Sequence, residues 1–456
     1  MNKLTLVCLI TTLSIAACGG SGGSSDSALT PTPEPAPTPE VEISTLPNVT
    51  GFDIVSDIIN LDLNRDGLED LVYVRTPEEP YYQGAYFQAL INNGDRTFTD
   101  QSTTYFPNLT TNWRWIEKVY LVDINGDGHK DIIPHLDMDF ESPMPPLIQA
   151  DDGVFSMAND QVLIDNAGAM LPLDVDKDGD IDIIVRKVAN WGDETLQQHQ
   201  LQLLLNNNNT NFSDAGIVST DTRMGWNNAA FVYSPVILDI NKDSYPDIIY
   251  GGARWEGANW VDKRTSMTVF LNNQDNTYYE STNTVFSDPI PSYTLSRELV
   301  KADFDSNGEE DILVANTGYD VEPWNGENNG ILFNNGAGEL KEQRGSIETH
   351  DYRGMTHSGD VADIDADGDI DIIYNDILGL DTTNETKIRI LKNDGAGNFT
   401  NQNFTLPTQY TTDGSWGSTA TLLVDLNKDG YPEIVLGGMG ADAASLIIWN
   451  DGSGHY

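Results

Sequence analysis

Between Asp363 and Asp371 the chain reads D-I-D-A-D-G-D-I-D, with carboxylates at the first, third, fifth and ninth positions and glycine at the sixth. Acids this close repel one another unless a cation sits among them. A hard ion such as Ca²⁺ takes six to eight oxygen ligands at roughly 2.3–2.6 Å. A tight loop can supply them by turning alternate side chains inward and bending at a glycine, where positive φ carries little steric cost. The backbone carbonyl of Asp369, at position seven, is a further candidate donor. A single loop of this kind is equally well an Asx-rich surface turn.

Seven copies in register decide for the metal. The loops begin at Asp62, Asp123, Asp174, Asp239, Asp303, Asp363 and Asp425, with successive starts 61, 51, 65, 64, 60 and 62 residues apart. The side chains expected to face an ion are Asp62, Asn64, Asp66 and Asp70 in the first loop, and Asp123, Asn125, Asp127 and Asp131 in the second. They are Asp174, Asp176, Asp178 and Asp182 in the third, Asp239, Asn241, Asp243 and Asp247 in the fourth, and Asp303, Asp305, Asn307 and Asp311 in the fifth. Asp363, Asp365, Asp367 and Asp371 serve the sixth, and Asp425, Asn427, Asp429 and Glu433 the seventh.

A recurring period of this length marks a repeat architecture, and the flanking residues define its elements. An apolar run such as Val236-Ile237-Leu238 leads into each loop, and a β-branched run such as Ile372-Ile373-Tyr374 leaves it. A third apolar run ends in Asn/Asp/Gly-rich stretches such as LINNGDRTF and LKNDGAGNF, which read as hairpin turns because Asn and Gly tolerate φ > 0. A fourth strand opens at the following aromatic, Phe98, Phe212 or Phe399. Four short antiparallel strands repeated seven times predict an all-β, seven-bladed β-propeller with a Ca²⁺ loop in each blade. The last repeat stops at Tyr456, before its fourth strand, so residues around Val41–Leu46 are expected to supply that strand and close the ring.

These residues resemble the FG-GAP/VCBS repeats also found in integrin α subunits, in D-x-[DN]-x-[DN]-G-x-x-D between two strands followed by N-N-G-x-G-x-F. The resemblance covers nearly all of the chain beyond residue 40, and implies Ca²⁺, up to seven ions, between the first and second strands of each blade. Three positions depart from the pattern. Ser244 stands at the turn glycine of the fourth loop, Asn307 lowers the charge of the fifth, and Glu433 lengthens the last arm of the seventh. An EF-hand is excluded, because loop position twelve is Tyr73, Pro134, Val185, Tyr250, Val314, Tyr374 or Leu436 where Glu is required.

The front of the chain reads as processing and tether. Lys3 and the short apolar run to Ala17 form a signal peptide over residues 1–17, too short to span a bilayer. Ile15-Ala16-Ala17-Cys18 resembles the lipobox of bacterial lipoproteins, which implies cleavage before Cys18 and lipidation of its thiol. Gly19 follows rather than Asp, favouring the outer membrane. Cys8 leaves with the peptide, so metal ions rather than disulfides must staple the fold. Residues 18–40, Gly/Ser-rich and then Pro-rich, form a tether, and 41–456 the propeller. With 71 acidic against 24 basic residues the net charge is −47. That excludes a nucleic-acid footprint and leaves the lipid anchor as the only expected membrane contact. A monomer is expected.

The propeller topology places the metal loops and N-N-G turns on one face, with second-to-third-strand loops and blade connections on the other. Trp191, Trp255, Trp260 and Trp324 fall in those second-to-third-strand loops and are the candidate ligand-binding residues, for a glycan or protein partner. Trp113, Trp226 and Trp416 recur in blade connections as gap-filling candidates, while Trp115 and Trp449 fall in strands. Arg114, Arg186, Lys187, Arg223, Arg254, Lys263, Arg264 and Arg353 share the loop regions. For catalysis the best constellation is His350, Tyr352, Arg353 and His357, in the connection to the sixth blade, similar in type to groups used by some Ca²⁺-propeller polysaccharide lyases. No H-E-x-x-H or P-loop is present. Metal binding already uses 23 of the acids, so paired carboxylates are poor evidence for glycoside hydrolysis. The expectation is a calcium-stabilised surface binding or adhesion module. A lyase and a non-catalytic scaffold are the alternatives.

Overall fold

The β-branched run after each acidic loop becomes the most deeply buried strand of its sheet. In the computed structural model the described residues are 42–77, 84–107, 109, 116–136, 145–158, 167–189, 198–207, 210, 212–220, 235–251, 264–287, 289–318, 326–344, 347, 354–377, 388–402, 417–439 and 445–456. They form seven four-stranded antiparallel sheets and one two-stranded ribbon, Thr265–Ser266 with Ser292–Tyr293. The first blade pairs Ile54–Leu61, Asp70–Thr76, Tyr86–Asn92 and Phe98–Asp100 in chain order. The second strand of every blade begins on loop position nine: Asp70, Asp131, Asp182, Asp247, Asp311, Asp371 and Glu433. This is the expected seven-bladed β-propeller.

Strand alternation explains how the blades stack. Successive side chains point to opposite faces, so Leu71 and Tyr73 join Val435, Ile447 and Trp449 of the last blade. Val72 and Val74, between them in sequence, instead join Ile116, Ile132 and Phe155 of the second blade. Second strands are therefore buried on both sides and read as unbroken apolar runs. Outer strands such as Phe98–Asp100 and Phe155–Met157 carry exposed residues.

The ring closes as the truncated last repeat requires. Ile43, Ser44 and Thr45 pair antiparallel with Ile448, Ile447 and Leu446. Leu46 N–H donates to Ser445 O at 3.0 Å, and Trp449 N–H to Glu42 O at 3.0 Å. Trp449 follows directly on the third strand, Leu446–Ile448, rather than within it. Its buried ring donates Nε1–H to Ser44 Oγ at 2.8 Å, and the Arg96 guanidinium lies 5.0 Å from the ring centroid.

First strands share an irregularity that sequence patterning does not show. That of blade three shifts register between Ala167 and Met170, and those of blades one, two, five, six and seven each carry one extra residue relative to the second strand: Ser56, Glu117, Arg297, His357 and Thr419. Each stands six residues before the first Asp of its acidic loop. A bulge re-aims a side chain, and all five line a cavity ringed by first strands.

The closing strand should carry a large share of stability. Trp449→Ala is expected to destabilise the protein by about 3–5 kcal/mol, and Ser44→Ala by about 1 kcal/mol, in urea unfolding followed by circular dichroism. Equal, negligible effects would show that the N-terminal strand is not a functional part of the ring.

Candidate metal centres

Each acidic loop is built by its own backbone before any ion is considered. The carboxylate at position one accepts N–H bonds from positions five and six; for Asp363 these come from Asp367 and Gly368, both at 3.0 Å. The same pair of bonds recurs at Asp62, Asp123, Asp174, Asp239, Asp303 and Asp425. Position five then accepts from position seven, as Asp66 does from Leu68 N–H at 2.8 Å. Winding the loop this tightly forces positive φ at position six, between 89° and 97° for its glycines. A Cβ added at Gly128, Gly179, Gly308, Gly368 or Gly430 would meet nothing within 4 Å. The demand is conformational rather than steric. Ser244 accordingly keeps the loop, at φ 70°, and still donates its N–H to Asp239 at 2.7 Å. A non-glycine residue at this φ is strained, and the loop survives the strain.

Position nine ties three strands together. Asp371 accepts N–H bonds from Ile364 at 3.1 Å and from Asn393, at the end of the third strand, at 2.8 Å. Five other blades repeat this, with Asp70, Asp131, Asp182, Asp247 and Asp311 taking the same two donors, while in blade seven Glu433 takes Leu426 N–H at 2.7 Å. These carboxylates are 0–1% exposed. Burial pushes Asp70, Asp131, Asp182 and Asp311 up to about 6, Asp247 to about 7 and Glu433 to about 8, with the backbone donors working in the opposite direction. Asp371 is raised for the same reason.

Three loops bring their acids close enough to hold a metal ion: Asp174, Asp176 and Asp182; Asp303, Asp305 and Asp311; Asp363, Asp365 and Asp371, each offering oxygens within 4.8 Å of one another. Asp176 Oδ1 and Asp365 Oδ1 are buried with no hydrogen-bond partner. An all-oxygen donor set with orphaned carboxylate oxygens fits a hard divalent cation such as Ca²⁺. In the other four loops position three is Asn. There the amide of Asn64, Asn125 or Asn241 donates to the position-five Asp at 2.8–3.1 Å, and Asn427 to Glu433 at 3.0 Å. Those amides relieve part of the acid repulsion that a cation would otherwise have to relieve.

The sixth loop carries a competitor. Lys392 Nζ lies 3.1 Å from Asp365 and 3.4 Å from Asp371, inside the acid cluster. The corresponding residues of blades three and four are Leu205 and Leu271. Sequence reasoning missed this ammonium, and it also missed the Asn that ends most third strands. Asn92, Asn206, Asn272 and Asn393 use Nδ2–H to reach the position-two carbonyl of a neighbouring loop: Leu426, Ile124, Val175 and Phe304, at 2.8–3.0 Å. Their recurrence just before each turn was the available signal, although it also reads as turn chemistry alone.

The FG-GAP-like repeat pattern matches residues 62–133, 174–250, 303–374 and 374–436, more than half of the chain, and all seven acidic loops begin within those stretches. The chain belongs to the FG-GAP-like repeat family. No curated protein matches it. The FG-GAP repeats here therefore coincide with the metal-compatible loops and their flanking strands.

The other candidates fare differently. Trp191, Trp255, Trp260 and Trp324 lie outside the described residues, as do Trp113, Trp115, Trp226, Trp416, His350, Tyr352, Arg353, Arg114, Arg223, Arg254 and Lys263. His357 is not in the connection to blade six. It is the bulged residue of that blade's first strand, Thr356–Ala362, and is buried. Burial, then the Arg297 charge, hold its imidazole well below the ordinary histidine range. Arg186 and Lys187 belong to a second strand, Asp182–Ala189, and Arg186 is buried rather than offered on a loop. Arg264 pairs with Glu327 at 3.2 Å.

Two outcomes follow from the charge balance. Lys392→Leu should tighten divalent-ion binding at the sixth loop by about tenfold or more, since one ammonium no longer repels the ion; calcium titration by calorimetry checks it. For the ion-free protein the raised position-nine carboxyls are most favourable while protonated. Their contribution is present below the ordinary carboxyl range and is lost as pH rises through about 6 to 8. In EDTA the melting temperature should therefore fall between pH 5 and pH 8 (about the window of those shifts), and excess Ca²⁺ should abolish the fall. A pH-independent melt in EDTA would contradict the burial argument.

Proposed function

We propose that the protein is a calcium-stabilised binding or adhesion module, held at the cell surface by a lipid on Cys18, that recognises carbohydrate or protein with the face opposite its metal loops. The supporting observation is the segregation of two kinds of loop. At one end of the strands every blade repeats one short loop, fixed by the same carboxylate–backbone bonds. The turns that follow third strands lie against these loops: a Cβ at Gly336 would touch Glu309, and one at Gly395 would touch Asp369. Such a surface is committed to structure. The opposite end carries the loops that differ from blade to blade, and these hold Trp191, Trp255, Trp260 and Trp324 in sequence. Recognition concentrates in variable loops on a rigid scaffold, and indole rings supply flat apolar area with one N–H donor.

In this reading Ca²⁺ is a structural ion. Asp176, Asp305 and Asp365, with their partners at positions one, five and nine, would hold it, and the ion supplies charge compensation for acids the fold has buried. At a few hundred times Kd each site contributes about 3–4 kcal/mol. Extracellular modules usually bind Ca²⁺ at roughly 10⁻⁴–10⁻³ M.

A glycan array probed with the lipid-free chain in Ca²⁺ tests the reading. Binding should be lost on Trp255→Ala or Trp324→Ala while the circular dichroism spectrum and melt are retained. Retained binding in both variants would move recognition elsewhere. Release of unsaturated uronate products, detected by ultraviolet absorbance, would establish the lyase alternative. Pull-down of protein partners with no glycan bound would establish the scaffold.

A further inference from the structure

First strands of six blades enclose a cavity of about 490 Å³, within the range that accepts a small organic molecule. Its walls are layered. Each first strand runs toward its acidic loop, so the bulged residues Ser56, Glu117, Arg297, His357 and Thr419 lie at the end away from the metal loops. Asp57, Lys118 and Glu298 follow one residue later, making this a charged end. Two residues further along the strands, Ile59, Val236, Val300 and Leu422 make an apolar layer, interrupted by Tyr120 and Asp360.

Most of the charge is already engaged by the fold. Lys118 pairs with Glu298, and Arg297 Nη2 with Glu117 Oε1 at 2.9 Å, both pairs joining blade two to blade five. Asp57 accepts N–H bonds from Ile58 and Val119 at 2.9 and 2.8 Å, and Asp360 from Val361 and Leu423 at 2.9 and 2.7 Å. Glu298 also accepts Gly359 N–H at 3.0 Å. Lys301, on the lining, is exposed and pairs outward with Glu310 at 2.8 Å. That leaves four carboxylates, Asp57, Glu117, Glu298 and Asp360, facing two cations, Lys118 and Arg297. Among the described residues lining the cavity, two polar atoms are buried without a partner: His357 Nε2, on a residue 8% exposed, and Tyr120 Oη. Orphaned polar atoms in a lined cavity call for a bound group. Burial, opposed in part by Lys118, lifts Asp57 to about 7.

We propose that this cavity binds a small amphiphilic amine. Its ammonium is drawn to the carboxylate excess and satisfies the orphaned His357 and Tyr120 atoms, while its hydrocarbon part lies against Ile59, Val236, Val300 and Leu422. The site lies on the ring axis and is independent of the glycan- or protein-binding face proposed above.

Three molecules of one shape and different charge test it: 2-phenylethylamine, 2-phenylethanol and phenylacetate, titrated calorimetrically into the lipid-free chain with saturating Ca²⁺. The amine should bind about tenfold more tightly than the alcohol, and phenylacetate should not bind. Tyr120→Phe, which keeps the ring, and His357→Gln should each weaken the amine by about three- to tenfold without shifting the melt. If His357→Gln fails to fold, Tyr120→Phe alone decides. Equal affinity for amine and alcohol, preference for phenylacetate, unchanged affinity in Tyr120→Phe, or no binding of any of the three at millimolar concentration would overturn the proposal.

Discussion

The ring depends on a carboxylate placed where water cannot solvate it. At position nine of every loop an acid opens the second strand, holds the backbone of the loop, and in six blades also holds the end of the third strand. Two N–H donors do not fully replace the hydration of a buried carboxylate, which is why these groups sit so far above the ordinary carboxyl range. In the three loops whose acids converge, a divalent cation among them would complete the compensation, and ion binding would then be coupled to folding.

The loops are also joints between blades. The apolar residue at position two, Leu63 in the first loop and Ile364 in the sixth, is buried under the sheet, and its carbonyl is where an Asn from a neighbouring blade docks in four of the seven cases. On the inner side, Asp57, Glu298 and Asp360 each accept an N–H from the adjoining blade's first strand. Whatever fixes one loop therefore fixes the position to which the next blade is bonded. Substitutions in two such loops should not act independently, since residues sharing a network are non-additive.

Blade number, strand order and ring closure were legible because they rest on period, alternation and a missing last strand. The acidic loops were legible because their residue spacing is local. What the chain did not disclose is what depends on contacts between distant residues. Loops three and six have equally full sets of acids, yet loop six contains Lys392, brought in by pairing of the second and third strands. His357 read as a polar loop residue because a one-residue bulge moves the strand boundary and turns its ring to the axis; no periodicity shows a bulge. Arg186 read as a loop cation for a similar reason, the second strand of blade three being longer than those of its neighbours.

Repetition within the chain separates structural from functional positions without reference to any other protein. Loop positions one, five, six and nine are nearly fixed across seven blades, since each makes bonds that the loop cannot form otherwise. Position two is free only within apolar residues. The bulged position before the loop is under no such demand, and it is Ser, Glu, Arg, His or Thr in the five blades where it lines the axial cavity. A repeat that needed only a closed core would fill that position alike in every copy. Instead the axis acquires five different side chains at one level, two of them pairing across it and one left with an unmet nitrogen. That asymmetry has no use in holding seven similar blades together, and it places chemical specificity on the axis as well as on the outer loops.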